Sequence, residues 1–361
     1  MNRVYLDHAA TSPLRPEARA AMLEAFDVFG NPSSVHGEGQ AARALLDESR
    51  RQIAEALGVR SERVVFTSGG TEAANLAIGG VMNAAKNKTR KVAITGVEHD
   101  CVIGAAWKHA VATVPVDADG VVDLEALEKI LATGDVTLVC LMHANNETGV
   151  MQPVAEAAAL AHAHGVLLYC DAVQTVGHLA VKPDELGVDM LGFAAHKFGG
   201  PKGVGALVVK PELDFVPQLM GGAQERGRRA GTENMVGIAG MAEALAAPLI
   251  ETSDLMARLL AGVRQLKGVE IMGEKAARVA HVVQLRVPGK GGEELVIGMD
   301  LNGVAVSQGS ACSSGRVKAS HVLRAMGLSE QEASEGLRLS LGWNTTQADI
   351  DTALAALTKL I

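Results

Sequence analysis

The chain has 361 residues, of which 48% are hydrophobic and 20% charged, and a net charge of −8. That length calls for two domains or one large α/β unit, and the acidic balance excludes a broad nucleic-acid surface, which needs clustered Lys and Arg. No run approaches the ~18 consecutive apolar residues of a membrane span, and the start Met1-Asn-Arg-Val-Tyr lacks a signal peptide's apolar stretch, so a cytoplasmic protein is expected.

From about Arg15 short apolar runs alternate with amphipathic stretches. Val64–Phe66 reads as a buried strand, followed by Thr67-Ser-Gly-Gly-Thr-Glu72 and a helix from Ala73. Paired glycines let backbone approach a ligand, and the N–H groups opening a helix favour a phosphate; a plain capping turn reads the same way. Val92–Ile94 and Thr137–Leu141 are the next strands. The second leads into His143-Ala-Asn-Asn-Glu-Thr-Gly149, where Asn145 and Asn146 offer neutral groups suited to a phenolate oxygen or a carboxylate. Helices are predicted over Leu124–Leu131 and Val154–His164, the latter closed by Gly165.

Val166–Tyr169 is a further strand and leads to Asp171. An acid there either caps the next turn or faces a cation such as a pyridinium nitrogen. Phe193-Ala-Ala-His-Lys197 places a lysine after an apolar strand and before a glycine-rich turn, a setting that suits Schiff-base chemistry, whereas Lys202 reads as a surface residue. Val204–Val209 closes the series. Alternating strand and helix implies a mainly parallel sheet covered on both faces, with ligands beyond the carboxyl ends of the strands.

After about Leu249 the texture changes. Helix-like stretches flank an apolar run at His281–Val287, followed by a Gly-rich turn and a helix near Glu293–Leu301. A smaller α+β domain is expected, formed by residues 1–14 and 249–361, beside a large cofactor-binding domain over 15–248. The four cysteines show no CxxC spacing, which argues against a disulfide framework and a zinc site, so no metal is expected. Cys140 and Cys170 lie in apolar runs and read as buried packing. Cys101, beside His99 and Asp100, stays open.

Tyr5-Leu-Asp-His-Ala-Ala-Thr11, Gly30-Asn-Pro-Ser-Ser34, Thr67–Glu72, Val97-Glu-His99, Asn145–Gly149, Asp171-Ala-Val-Gln174, His196-Lys197 with Gly200-Pro-Lys-Gly203, Gly227-Arg-Arg-Ala-Gly-Thr232 and Gly309-Ser-Ala-Cys-Ser313 occur in an order that covers nearly the whole chain. Together they resemble the cysteine desulfurase family of the class V aminotransferase superfamily. The resemblance implies fold type I of the pyridoxal-phosphate-dependent transferases, a homodimer, and release of alanine from L-cysteine. It implies that Lys197 binds the cofactor covalently, Asp171 pairs with its ring nitrogen, and Gln174 and Asn146 contact its ring oxygen. His99 would stack on the ring and transfer protons. Gly70, Thr71, His196 and a second subunit's Thr232 would bind phosphate. Arg338 would hold the substrate carboxylate with its planar fork, and Asn146 would share that task.

Cys312 would be the nucleophile that takes the sulfur and passes it, as a persulfide, to an acceptor such as an iron–sulfur scaffold. Residues 307–315 are almost all small, and Ser320 is placed to cap a helix His321–Met326 that Gly327 ends. Attack requires the thiolate, so a nearby positive charge or base is expected. An ordinary aminotransferase, a selenocysteine lyase and a catalytically inert sulfur-delivery scaffold are the rival readings. The chain departs from the family at Ala194, usually a phosphate-binding serine, at Gln308, usually serine, and at Trp343-Asn344, usually Arg-Phe. Arg316-Val-Lys318 stands where an acidic residue is usual.

Overall fold

The protein is described by a computed structural model covering residues 3–85, 91–309 and 319–361. The chain enters through β1 (Val4–Tyr5), α1 (Pro16–Ala25) and α2 (Gly37–Leu57). Seven strands follow: β2 (Val64–Thr67), β3 (Lys91–Thr95), β4 (Ala110–Val114), β5 (Val136–Met142), β6 (Leu167–Asp171), β7 (Met190–Ala194) and β8 (Gly205–Val209). They form one sheet in the order β2-β8-β7-β6-β5-β3-β4, in which β8 alone runs against the rest.

The period of two along each strand decides what packs where. Val64, Phe66, Val139 and Leu141 point to one face, into a core shared with α2, α5 (Leu124–Leu131), α6 (Val154–Ala163) and α7 (Met235–Ala246). Val65, Leu138, Cys140 and Tyr169 point to the other, against α3 (Gly70–Ala84) and α4 (Asp100–Ala106). The sheet is thus mainly parallel and covered on both faces, as the alternation implies. Cys140 and Cys170 are both fully buried in these cores. The predicted strands are present with ends shifted by a residue or two. The sequence reading passed over β4, an edge strand that leaves Ala110 and Thr113 exposed.

The remaining elements are α8 (Ser253–Val263), β9 (Glu270–Ile271), β10 (Val282–Arg286), α9 (Gly292–Leu301), β11 (Val304–Ala305), α10 (His321–Ala325), α11 (Glu330–Ala333), β12 (Gly336–Ser340) and α12 (Gln347–Leu360). Strand β10 pairs antiparallel with both β12 and β9, while β1 pairs parallel with β11. Leu6, Leu259, Val283, Leu285, Leu339 and Leu357 share a second core with these elements. Among the described residues no helix is long and apolar enough to cross a membrane.

Candidate active site

Because β2, β3, β5, β6 and β7 run the same way, their carboxyl ends open on one edge of the sheet, and the loops beyond them meet there. They enclose a cavity of ≈ 230 Å³ lined by Gly70 and Thr71 after β2, His99 and Cys101 after β3, Asn146 after β5, Asp171 and Gln174 after β6, and His196 and Lys197 after β7. Arg338, from β12, completes the wall. Of the residues singled out in the sequence, these are brought together. Thr232 is exposed and lies outside this cavity, and Cys312 lies outside the described residues.

One corner of the cavity is shaped by glycine. Gly69 adopts φ +151°, and a Cβ built on Gly70 would meet Val173 Cγ2 at 2.8 Å and the Ala194 methyl at 3.7 Å. A side chain at 70 would intrude on the cradle at the first turn of α3, whose N–H groups have no intrahelical acceptors. Ala194 faces the same corner. His196 contributes a ring held neutral: burial pushes its pKa down to about 4, and Nδ1 lies 3.2 Å from Thr11 Oγ1.

Asp171 terminates β6 with its carboxylate buried. Oδ1 accepts the Val173 N–H at 3.0 Å, so the turn-capping role is real, yet one such bond leaves the carboxylate poorly compensated. Burial raises its pKa, against the opposing fields of His99 and Lys197. A buried acid so placed calls for a cation in the cavity. A glycine cradle at a helix start, a buried carboxylate and a lysine in the wall of one cavity fit pyridoxal phosphate.

Lys197 Nζ donates to the carbonyls of Ala9 at 2.7 Å and Ala10 at 3.0 Å, and Gln174 Nε2 donates to the Ala9 carbonyl at 3.1 Å. The segment after β1 therefore closes the cavity, a role that the motif Tyr5–Thr11 could have signalled. His99 caps α4: its Nδ1 accepts the Cys101 N–H at 3.2 Å. A nitrogen accepting a backbone N–H carries no proton, so this contact leaves Nε2 as the ring nitrogen that holds one. Cys101 Sγ lies 3.0 Å from the same Nδ1, and burial raises the thiol pKa, so Cys101 stands in the wall as a neutral thiol.

The two asparagines diverge. Asn145 builds the loop, donating to Val97 O and accepting from Glu147 and Thr148 N–H, whereas Asn146 lines the cavity. Glu98 joins the ends of β3 and β5 by accepting from Thr95 Oγ1 and Met142 N, and burial pushes its pKa up to about 8. Glu147 accepts from Ser320 Oγ at 2.5 Å, while Ser320 caps α10 through the Leu323 N–H, as expected. These buried carboxyls are missed by motif reading because an acid in a loop normally signals solvent.

Two departures acquire structural roles. Gln308 Nε2 donates to Ser334 O, and its own carbonyl accepts from Gln284 Nε2. Trp343 Nε1 donates to Pro13 O, and the indole packs against the larger core. Arg316, Val317 and Lys318 lie outside the described residues.

Residues 4–353 match the aminotransferase class-V family. A protein of Dictyoglomus turgidum named cysteine desulfurase IscS is 40% identical over 99% of this chain and 94% of its own. One of Mycobacterium tuberculosis named IscS-like cysteine desulfurase is 40% identical, covering 98% of this chain and 95% of its own. Among solved structures, a NifS-like protein from Rickettsia africae superposes with a TM-score of 0.91 at 31% identity, over 99% of both chains. One described as SspA in complex with cysteine gives 0.86 at 29%, over 95% of this chain and all of the other. With sequence, fold and cavity in agreement, this chain belongs to the class-V aminotransferase family, on its pyridoxal-phosphate-dependent cysteine desulfurase branch.

Proposed function

We propose that this protein is a cysteine desulfurase that takes sulfur from L-cysteine, releases L-alanine and leaves a persulfide on Cys312. The observation that carries this reading is the convergence of Lys197, Asp171, His99 and Arg338 on one cavity at the sheet edge. When bound, pyridoxal phosphate supplies an aldehyde for the substrate amine and a ring that accepts electron density from its α-carbon. Lys197 would hold it, and its amine would move a proton at the substrate α-carbon. Asp171 keeps the ring nitrogen protonated. His99, in the cavity wall with Nδ1 engaged by the Cys101 N–H, would face the ring and use Nε2 to give and take protons. Gln174 and Asn146 bind the ring oxygen. Gly70, Thr71 and His196 bind phosphate, joined by Thr232 of a second copy.

Arg338 and Asn146 orient the substrate carboxylate. The Cys312 thiolate attacks the cysteine sulfur: an S–S bond forms, the C–S bond breaks, and its electron pair remains on carbon, which takes a proton and leaves as the methyl group of alanine. An acceptor such as an iron–sulfur scaffold then receives the sulfur. A cytoplasmic setting suits a thiol that must stay reduced. The core that gathers Val4 and Leu6 with Leu259, Val283 and Leu357, apart from those on the two faces of the sheet, supports the division into residues 15–248 and residues 1–14 with 249–361. The homodimer is supported by Thr232, exposed on its own subunit, and by the exposed apolar side chains of Phe26, Phe29 and Val35. Incubation with cysteine and a reductant should release alanine and sulfide in equal amounts; a keto acid instead would indicate an aminotransferase.

A further inference from the structure

Arg338 is buried, yet its guanidinium reaches the cavity. Nη1 donates to Asn146 O at 2.9 Å, Nη2 donates to Asp7 Oδ1 at 2.8 Å, and Nε has no partner among the described residues. A guanidinium has five N–H donors in a rigid plane, so two anchors leave donors for an incoming carboxylate. The Asn146 carbonyl alone would let the plane turn about a single bond. Asp7 supplies the second, charge-assisted anchor, with the pair largely shielded from water. Asp7 is itself fixed. It bridges to Ser340 on the strand that carries Arg338, and its carbonyl accepts from Tyr5 Oη at 3.1 Å and Ala10 N at 3.1 Å. It does not line the cavity.

We propose that Asp7 is a positioning residue for substrate recognition: it sets the plane of the Arg338 guanidinium so that the remaining donors meet the α-carboxylate of an amino acid. The proposal rests on the reading of Arg338 given above. Asp7 acts through Arg338, so its removal weakens carboxylate binding and leaves the chemistry of the cavity in place.

The test compares wild type, Asp7→Ala, Asp7→Asn and Arg338→Ala as holoenzymes. L-alanine and L-alanine methyl ester are titrated in, and binding is followed by the cofactor's visible absorbance. Asp7→Ala should weaken L-alanine binding about tenfold, one well-placed anchor's worth, with little effect on the ester. KM for cysteine should rise by a similar factor while kcat falls far less. Asp7→Asn keeps the oxygen acceptor and should recover most of the loss. Equal weakening of alanine and ester in Asp7→Ala, or no weakening of either, overturns the proposal while leaving Arg338 in place, provided Arg338→Ala loses alanine selectively. If Arg338→Ala binds alanine as wild type does, the reading of Arg338 fails and the proposal with it.

Discussion

Ala194 is the residue where this chain tests its own cofactor site. Its methyl faces the cradle at Gly70, where a serine hydroxyl could donate to a phosphate. Such a charge-assisted bond is worth ~1.5–3 kcal/mol, and ~1.4 kcal/mol is tenfold in affinity. Ala194→Ser should therefore lose cofactor about tenfold more slowly during dialysis against a competing amine, with turnover at saturating cofactor nearly unchanged; equal or faster loss would show that another group already fills the role. Residues of this kind differ in how legibly the sequence carries them. Lys197 and Asp171 stand at the ends of apolar strands, where a charged side chain has no packing purpose. Arg338 sits inside Leu337-Arg-Leu-Ser-Leu and is marked by the family motif alone. Asp7 and Cys101 could not be assigned, because their partners Arg338 and His99 are set by tertiary contact and loop geometry.

Among the elements, the segment around 225 joins the sheet to the region that carries Thr232. Glu225 and Arg226 both adopt left-handed backbone, at φ 47° and φ 57°, a conformation that disfavours side chains. A buried fork holds them there: Arg50 on α2 donates to both Glu225 oxygens at 2.8 Å, and Glu225 also accepts the Phe66 N–H. Arg50→Ala strands a buried carboxylate and should destabilise the fold by about 3–5 kcal/mol in urea titrations; a loss below about 1 kcal/mol would show that the pair does not hold the segment.

A second device joins elements from both cores. The rings of His178 and His281 stack with centroids 3.7 Å apart, and His178 Nε2 donates to the Lys197 carbonyl at 3.2 Å. Burial holds His8 and His178 at a pKa of about 4 and His281 well below the usual value. Each group is depressed in the fold, so the unfolded chain binds more protons between pH ~6.5 and ~4, and stability is lost as the pH falls through that window. Glu98, raised to about 8, works in the opposite direction over much of it. The difference between variants isolates the rings: His281→Asn should lose less stability than wild type between pH 7 and pH 5. An unchanged slope would show that His281 is not held neutral. None of this cluster could be read from sequence, since three histidines so far apart in the chain meet only in the fold.

Viewed whole, the molecule exposes apolar side chains at Phe26 (65% exposed), Phe29 (83%) and Val35 (89%), and its cavity lacks Thr232 of its own subunit. Large apolar side chains left this exposed fit the proposed interface with a second copy. Sedimentation should give a dimer at assay concentration, and Phe29→Asp should shift it toward monomer and weaken cofactor retention; a fully active wild-type monomer would contradict the shared site. The parallel sheet was legible because alternating apolar strands and helices admit few other arrangements. The central claim is that sulfur leaves cysteine for Cys312. Treating the holoenzyme with one equivalent of L-cysteine, trapping thiols and mapping peptides by mass spectrometry tests it most directly. The account predicts one added sulfur atom on the Cys312 peptide, matched by alanine release, and neither in Cys312→Ser; added sulfur on Cys101 instead, or undiminished alanine release by the serine variant, would contradict it.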